Sequence, residues 1–170
     1  MQARNRRMVR CRWRLLGWVA GLVVVLDQAT KLHVHKTFAL YESRPVVENF
    51  FALTYVRNSG SAFGLLAGSN PDLLRIFFPA VTVLAVVLML WYLWRLPASQ
   101  KLTLWGVCLV IGGALGNGID RFRIGQVIDF LDVHWYDVYH WPAFNVADSA
   151  ICVGVGLLIF DAFRTARVES

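Results

Sequence analysis

Charged side chains are scarce in this chain: Asp, Glu, Lys and Arg make up 16% of its 170 residues, while 57% are hydrophobic. An average soluble domain carries about 25% and roughly 45–50%. So little charge excludes an ordinary water-soluble domain of this length, which could not enclose so much apolar matter. Cysteine is scarcer still. Cys11, Cys108 and Cys152 are odd in number and lack metal-site spacing, which excludes a disulfide framework and a thiolate zinc site. They read as core or flank residues. Internal repeats and low-complexity segments are absent, and residues 1–170 read as one integral membrane domain.

What the chain has instead is uncharged length. Ile76 to Trp94 and Leu102 to Ile119 contain no charge, and each approaches the roughly 20 residues of a bilayer-spanning helix. Leu15 to Leu26 and Ser149 to Phe160 are shorter and reach spanning length only by taking in polar neighbours. The first of these, behind an arginine-rich start, has the layout of a cleaved signal peptide. Leu26-Asp27-Gln28-Ala29-Thr30-Lys31 offers no small-x-small cleavage site, however, and apolar residues resume at Leu32 and Val34. The sequence therefore predicts four spans, at about 15–35, 75–95, 101–119 and 145–164.

The net charge of +6 does not point to nucleic acid, because Arg4, Arg6, Arg7, Arg10, Arg12 and Arg14 all precede the first apolar run. With four spans, these six share one side with Arg95, Lys101, Arg164 and Arg167, ten of the 17 Lys and Arg. By the positive-inside rule that side is the cytoplasm, so both termini are expected there.

The two outer connections, about 36–74 and 120–144, far exceed what joining neighbouring helices requires. Long connections on one face suggest function there. The first holds Val46-Val47 and Phe50 to Val56, β-branched and aromatic, followed by the turn-forming Asn58-Ser59-Gly60, and predicts a small periplasmic β-sheet. The second carries Trp135, Tyr136, Tyr139 and Trp141, suited to the membrane interface. Pro142 followed by Asn145 predicts a helix start capped by Asn145. The expected class is an all-α membrane protein, four transmembrane helices with a small periplasmic sheet and a periplasmic or interfacial loop-helix.

Ionisable groups at membrane depth call for a reason, since Asp, Lys or Arg at a helix centre costs about 2.5–3.5 kcal/mol on insertion scales. Asp27 and Lys31 are four apart on one helix and can pair, either as a purely structural bridge or in contact with substrate. In Gly112 to Arg121, small residues let helices approach, and Asn117 and Arg121 share a face. Arg121 is either an interfacial arginine or a clamp for a substrate carbonyl or lipid phosphate. Asp129 and Asp148 are single carboxylates among apolar neighbours, a setting that perturbs carboxylate pKa values. Each read alone is also compatible with an interfacial or capping role, and spacing does not bring the two together.

Other chemistries have less to stand on. A serine-lysine peptidase would need Lys31 to activate Ser59 or Ser61. A proton-coupled transporter could use Asp27, Lys31 and Asp148, but such transporters are commonly built from inverted repeats. For metal hydrolysis, His33 and His35 are two apart and do not share a helix face, and His134 and His140 lack a recognisable ligand motif. They read as interfacial histidines.

Taken together, Asp27-Gln28-x-x-Lys31, Asn58-x-Gly60-x-Ala62-Phe63, the Gly112 to Arg121 run, Val127-x-Asp129-Phe130 and Phe144-Asn145-x-Ala147-Asp148 resemble, in order and spacing, the motifs of the lipoprotein signal peptidase (signal peptidase II) family. The resemblance implies a bacterial inner-membrane aspartic endopeptidase that removes the signal peptide from prolipoproteins, cleaving just before a diacylglyceryl-modified cysteine. It implies no metal or other cofactor, and partners limited to those substrates and membrane lipids, without nucleic acid. Asp129 and Asp148 match the family's catalytic pair. Asn58, Gly60, Asn117, Arg121 and Asn145 match positions that shape or support its active site, and Asp27 and Lys31 match its polar pair in the first span. The arginine-rich stretch before Leu15 is longer than the family requires.

Overall fold

The computed structural model describes residues 2–60, 71–97, 100–136 and 138–169. The elements run α1 (Gln2–Thr37), β1 (Ser43–Val47), β2 (Phe51–Asn58), α2 (Pro71–Arg95), α3 (Lys101–Ile124), β3 (Val127–Trp135), β4 (Tyr139–His140) and α4 (Val146–Glu169). Four helical stretches are long and apolar enough to cross a membrane: Cys11–Thr37, Asp72–Arg95, Lys101–Ile124 and Val146–Ala166. Large apolar side chains such as Trp18, Leu22, Ile76, Leu84, Trp91, Ile159 and Phe163 stand exposed on their outer faces, as a hydrocarbon surround permits and water would not.

Helix α3 sits at the centre of the bundle, and its sequence explains why. Without a hydrophobic drive between helices in lipid, close approach of small residues supplies the packing. A Cβ placed on Gly113 would fall 2.3 Å from the Ala147 carbonyl oxygen of α4, and one on Gly112 would meet the Ala20 backbone of α1 at 2.9 Å. Farther along, Gly106 and Gly154 face each other so tightly that a Cβ on either would lie within 2.8 Å of the other's carbonyl oxygen. Below them, the buried Thr103 hydroxyl donates to Asp161 of α4 at 2.5 Å.

The two long connections build one sheet with strand order β1-β2-β3-β4, all neighbours antiparallel. It is larger than the sequence suggested, because the second connection contributes two strands. Among the described residues no separate helix lies in either connection, and residues 61–70 fall outside them. Val34 and Phe38 at the end of α1 pack with Tyr55, Ile128 and Phe130 in a common apolar cluster, which seats the sheet on the bundle. The register moves from Leu53↔Leu131 to Val56↔Asp129, so two residues of β2 oppose Phe130 alone. That bulge falls beside Asp129, where it re-aims the strand.

At the opposite end, Arg12 donates to the carbonyls of Leu93, Trp94 and Leu96 at 2.8, 2.9 and 2.6 Å. The last turn of a helix leaves carbonyls without partners, and an arginine there satisfies them while complementing the dipole. At least one residue of the arginine-rich start thus ties α1 to α2.

Gly113→Val should push α4 away from α3. We expect overpacking of about 1–3 kcal/mol, read as a fall of several degrees in the thermal unfolding of detergent-purified protein, whereas Gly156→Ala, with open space around it, should not lower the unfolding temperature.

Candidate active site

Lys31 organises the polar interior. It is 1% exposed, and an ammonium has three protons to donate and no acceptor. All three are matched: Asp27 Oδ2 lies at 2.8 Å, Asp120 Oδ2 at 3.0 Å and Asn117 Oδ1 at 2.9 Å. Saturated in this way, Lys31 has no lone pair with which to activate Ser59, and Ser61 lies outside the described residues.

The contact with Asn117 fixes which end of that amide points where. Because Lys31 can only donate, the amide oxygen faces it, and the nitrogen faces Asp148, donating to Oδ1 at 2.7 Å. Asn145 is oriented with equal force. Its Nδ2 is surrounded by acceptors, Asp129 Oδ1 at 2.7 Å, Asn117 Oδ1 at 3.1 Å and the Ile128 carbonyl at 3.2 Å. Its Oδ1 accepts from the Asp148 backbone N–H at 2.9 Å, while the Asn145 N–H donates to Asp148 Oδ2 at 3.2 Å. This reciprocal pair is a capping box at the start of α4, with Asp in the position more often held by Glu or Gln. Asp27 completes the cap by accepting from the Ala147 N–H at 3.0 Å.

Asp129 arrives from the sheet. Chain reversal after β3 is closed by backbone bonds between Leu131 and Phe144, at 2.8 and 3.1 Å, which bring Asn145 alongside Asp129. Asn58, at the end of β2, donates to Asp129 Oδ2 at 3.1 Å and accepts from the Gly60 N–H at 2.8 Å. Gly60 has φ +101°, and a side chain there would collide with the Phe78 ring, so this turn requires glycine. Asp129 is 2% exposed. Burial, reinforced by the negative charge of Asp148 and opposed by the amides of Asn58 and Asn145, raises its pKa to about 7.

Of the residues singled out from sequence, Asp27, Lys31, Asn58, Asn117, Asp129, Asn145 and Asp148 therefore form one hydrogen-bonded network, and Gly60 joins it through Asn58. Arg121 stands beside it. Its guanidinium is 5.0 Å from the Phe78 ring centroid and within electrostatic range of Asp148, Asp129 and Asp120. Ala62 and Phe63 lie outside the described residues.

Sequence reasoning missed Asp120. It is 4% exposed, pairs with Lys31, and accepts from Gln28 at 3.1 Å and from the Ile128 N–H at 3.2 Å. A signal was available: Gly116 and Asp120 are four apart, as are Asp27 and Lys31, so each pair shares a helix face.

Lys31→Met would leave Asp27 and Asp120 buried without their cation. The expected loss is about 3–5 kcal/mol, measured as thermal unfolding in detergent. Lys31→Arg should recover little of it, because a planar fork cannot meet three acceptors arranged around a point.

Comparison with known proteins agrees with this arrangement at the level of family. Residues 19–164 match the family model described as signal peptidase (SPase) II. The chain is 52% identical to the lipoprotein signal peptidase of Syntrophotalea carbinolica over 92% of its own length and 96% of that protein's. It is 49% identical to the lipoprotein signal peptidase of Geobacter metallireducens over 93% and 96%. A bacterial membrane enzyme solved at 2.3 Å superposes with a TM-score of 0.81 at 30% identity, covering 91% of each chain. With four membrane-length helices and relatives of this kind, the chain is a multi-pass membrane hydrolase, and it belongs to the signal peptidase II family.

Proposed function

We propose that this protein is an aspartic endopeptidase that removes the signal peptide from diacylglyceryl-modified prolipoproteins, cleaving just before the lipidated cysteine, with Asp129 and Asp148 as its catalytic carboxylates. One observation carries the reading: two carboxylates from different elements meet across Asn145, and one has its pKa raised to about 7. A pair of aspartates of this kind can both activate water and polarise a carbonyl.

The environments suggest the division of labour. Asp148, in the first turn of α4, accepts from the Asn117 side-chain amide of α3 and from the Asn145 backbone N–H, and serves as general base toward a water held between the pair. Asp129, protonated near neutral pH, donates to the scissile carbonyl oxygen. Attack by water gives a tetrahedral diol. Collapse of the diol breaks the C–N bond as the leaving nitrogen takes a proton from the pair, so no covalent enzyme intermediate is formed. Asn58, Asn117 and Asn145 position the carboxylates, with Asp27 and Lys31 behind them, and Arg121 is available to a carbonyl or phosphate oxygen of the substrate.

The distribution of Lys and Arg supports a bacterial inner-membrane location with both termini in the cytoplasm. The sheet and the carboxylate pair then lie toward the periplasmic face. Acyl chains of the substrate stay in lipid while the peptide bond reaches the pair.

The test is cleavage of a synthetic diacylglyceryl-cysteine prolipopeptide by purified protein. Asp129→Asn and Asp148→Asn should each lower turnover by about 100- to 10,000-fold with the protein still folded; substantial cleavage by both folded variants would overturn the assignment. In wild type, Asp129 holds its proton below about pH 7 and loses it as the pH rises through that value, so the rate should fall on the alkaline side. Asn58→Ala removes a hydrogen bond that favours the anion and should move that alkaline limb to higher pH, whatever its effect on the maximal rate.

A further inference from the structure

Alternation along β3 sends Asp132 and His134 to the face opposite Asp129. Across the reversal, His140 of β4 is the register partner of His134, and the two rings stack with centroids 4.8 Å apart at 20°. Asp132 Oδ1 lies 3.2 Å from His140 Nδ1 and 3.6 Å from His134 Nδ1. One ligand atom from each of the three side chains falls within 4.8 Å of the other two.

This arrangement is incomplete as a set of hydrogen bonds. Nδ1 of His134 is buried and has no hydrogen-bond partner among the described residues, and 3.6 Å to the carboxylate is too long for one. A divalent ion between that nitrogen, the Asp132 oxygen and the His140 nitrogen would supply the missing partner. Two imidazole nitrogens and one carboxylate oxygen suit borderline first-row metals. A tetrahedral ion with bonds of about 2.0–2.1 Å holds its donors roughly 3.4 Å apart, between the two nitrogen–oxygen separations found here. The side chain of His140 is 52% exposed, which gives an ion a path inward and leaves a coordination position for water.

We propose that Asp132, His134 and His140 form a binding site for a divalent transition metal ion of the Zn²⁺ class, distinct from the carboxylate pair, and that the bound ion fastens β4 to β3. The strand that gains is only two residues long, Tyr139–His140, so its backbone ladder holds it weakly. Coordination across the His134–His140 pair would fix the reversal that carries the exposed aromatics Trp135, Tyr136, Tyr139 and Trp141.

The experiment uses full-length, untagged protein in detergent, stripped with a chelator and then titrated with Zn²⁺ by calorimetry and with Co²⁺ by visible absorption. One ion per chain is expected, with a Co²⁺ d–d band and a rise in thermal unfolding temperature on adding Zn²⁺. His140→Ala, at a half-exposed position, should match wild type in metal-free unfolding, yet bind at least tenfold more weakly and lose the thermal shift. Asp132→Asn should weaken binding in the same way, while Asp129→Asn and Asp148→Asn should bind like wild type. Absence of stoichiometric binding to wild type would overturn the proposal. So would binding that survives in His140→Ala, or binding lost only in the Asp129 and Asp148 variants, which would put the ion elsewhere.

Discussion

A single ammonium group inside the helical bundle sets the terms for the rest of the polar interior. Burying Lys31 alone would be costly, and pairing it with one carboxylate would leave two protons unmatched. The chain meets all three by drawing on Asp27 of its own helix and on Asn117 and Asp120 of α3. Each partner passes the constraint on. Asp27 caps α4 through the Ala147 N–H, Asp120 holds the start of β3 through the Ile128 N–H, and Asn117 turns its amide toward Asp148. Three helices and the sheet are thereby referred to one point, and hydrogen bonds fix each polar side chain by what its neighbour can accept.

The glycines of α3 make this possible at the level of packing. Gly116 lies against Asp27 and Ala147, where a Cβ would sit 2.7 Å from Asp27 Oδ2. A larger residue would separate α1, α3 and α4 at the depth where the network joins them. Close approach is here a condition for the electrostatics, because these hydrogen bonds span less than a side chain's width. Arg12 acts at the far end of the bundle by binding carbonyls at and just past the C-terminal end of α2, so α1 contributes both to the polar centre and to holding the next helix in the chain.

Much of this was legible in the sequence because it is local. Uncharged runs give the helices, the four-residue spacing of Asp27 and Lys31 gives their pairing, Pro142 and Asn145 announce the cap of α4, and the Gly112 to Gly118 run marks the tight seam. The remainder depends on pairings between distant segments. Val127 to Trp135 becomes a strand by pairing with β2, some seventy residues earlier in the chain, and no local periodicity specifies that register. The convergence of Asp129 with Asp148 follows from the same strand and from the bridge between Leu131 and Phe144, so it entered at the sequence level through family resemblance alone. His134 and His140 offer no recognisable ligand motif in the sequence, whereas a strand reversal sets them directly opposite one another.

The choice of secondary structure also bears on why two chemically identical carboxyl groups can differ. Asp148 stands in the first turn of a helix, where backbone N–H groups and the dipole stabilise negative charge. Asp129 stands on a strand, and sheets have only small net dipoles. What acts on it is burial, the neighbouring negative charge and two side-chain amides, and the balance favours retaining a proton up to about pH 7. In the proposed mechanism, one carboxyl from a helix and one from a sheet would serve as base and acid from the same residue type, with Asn145 hydrogen-bonded to both residues.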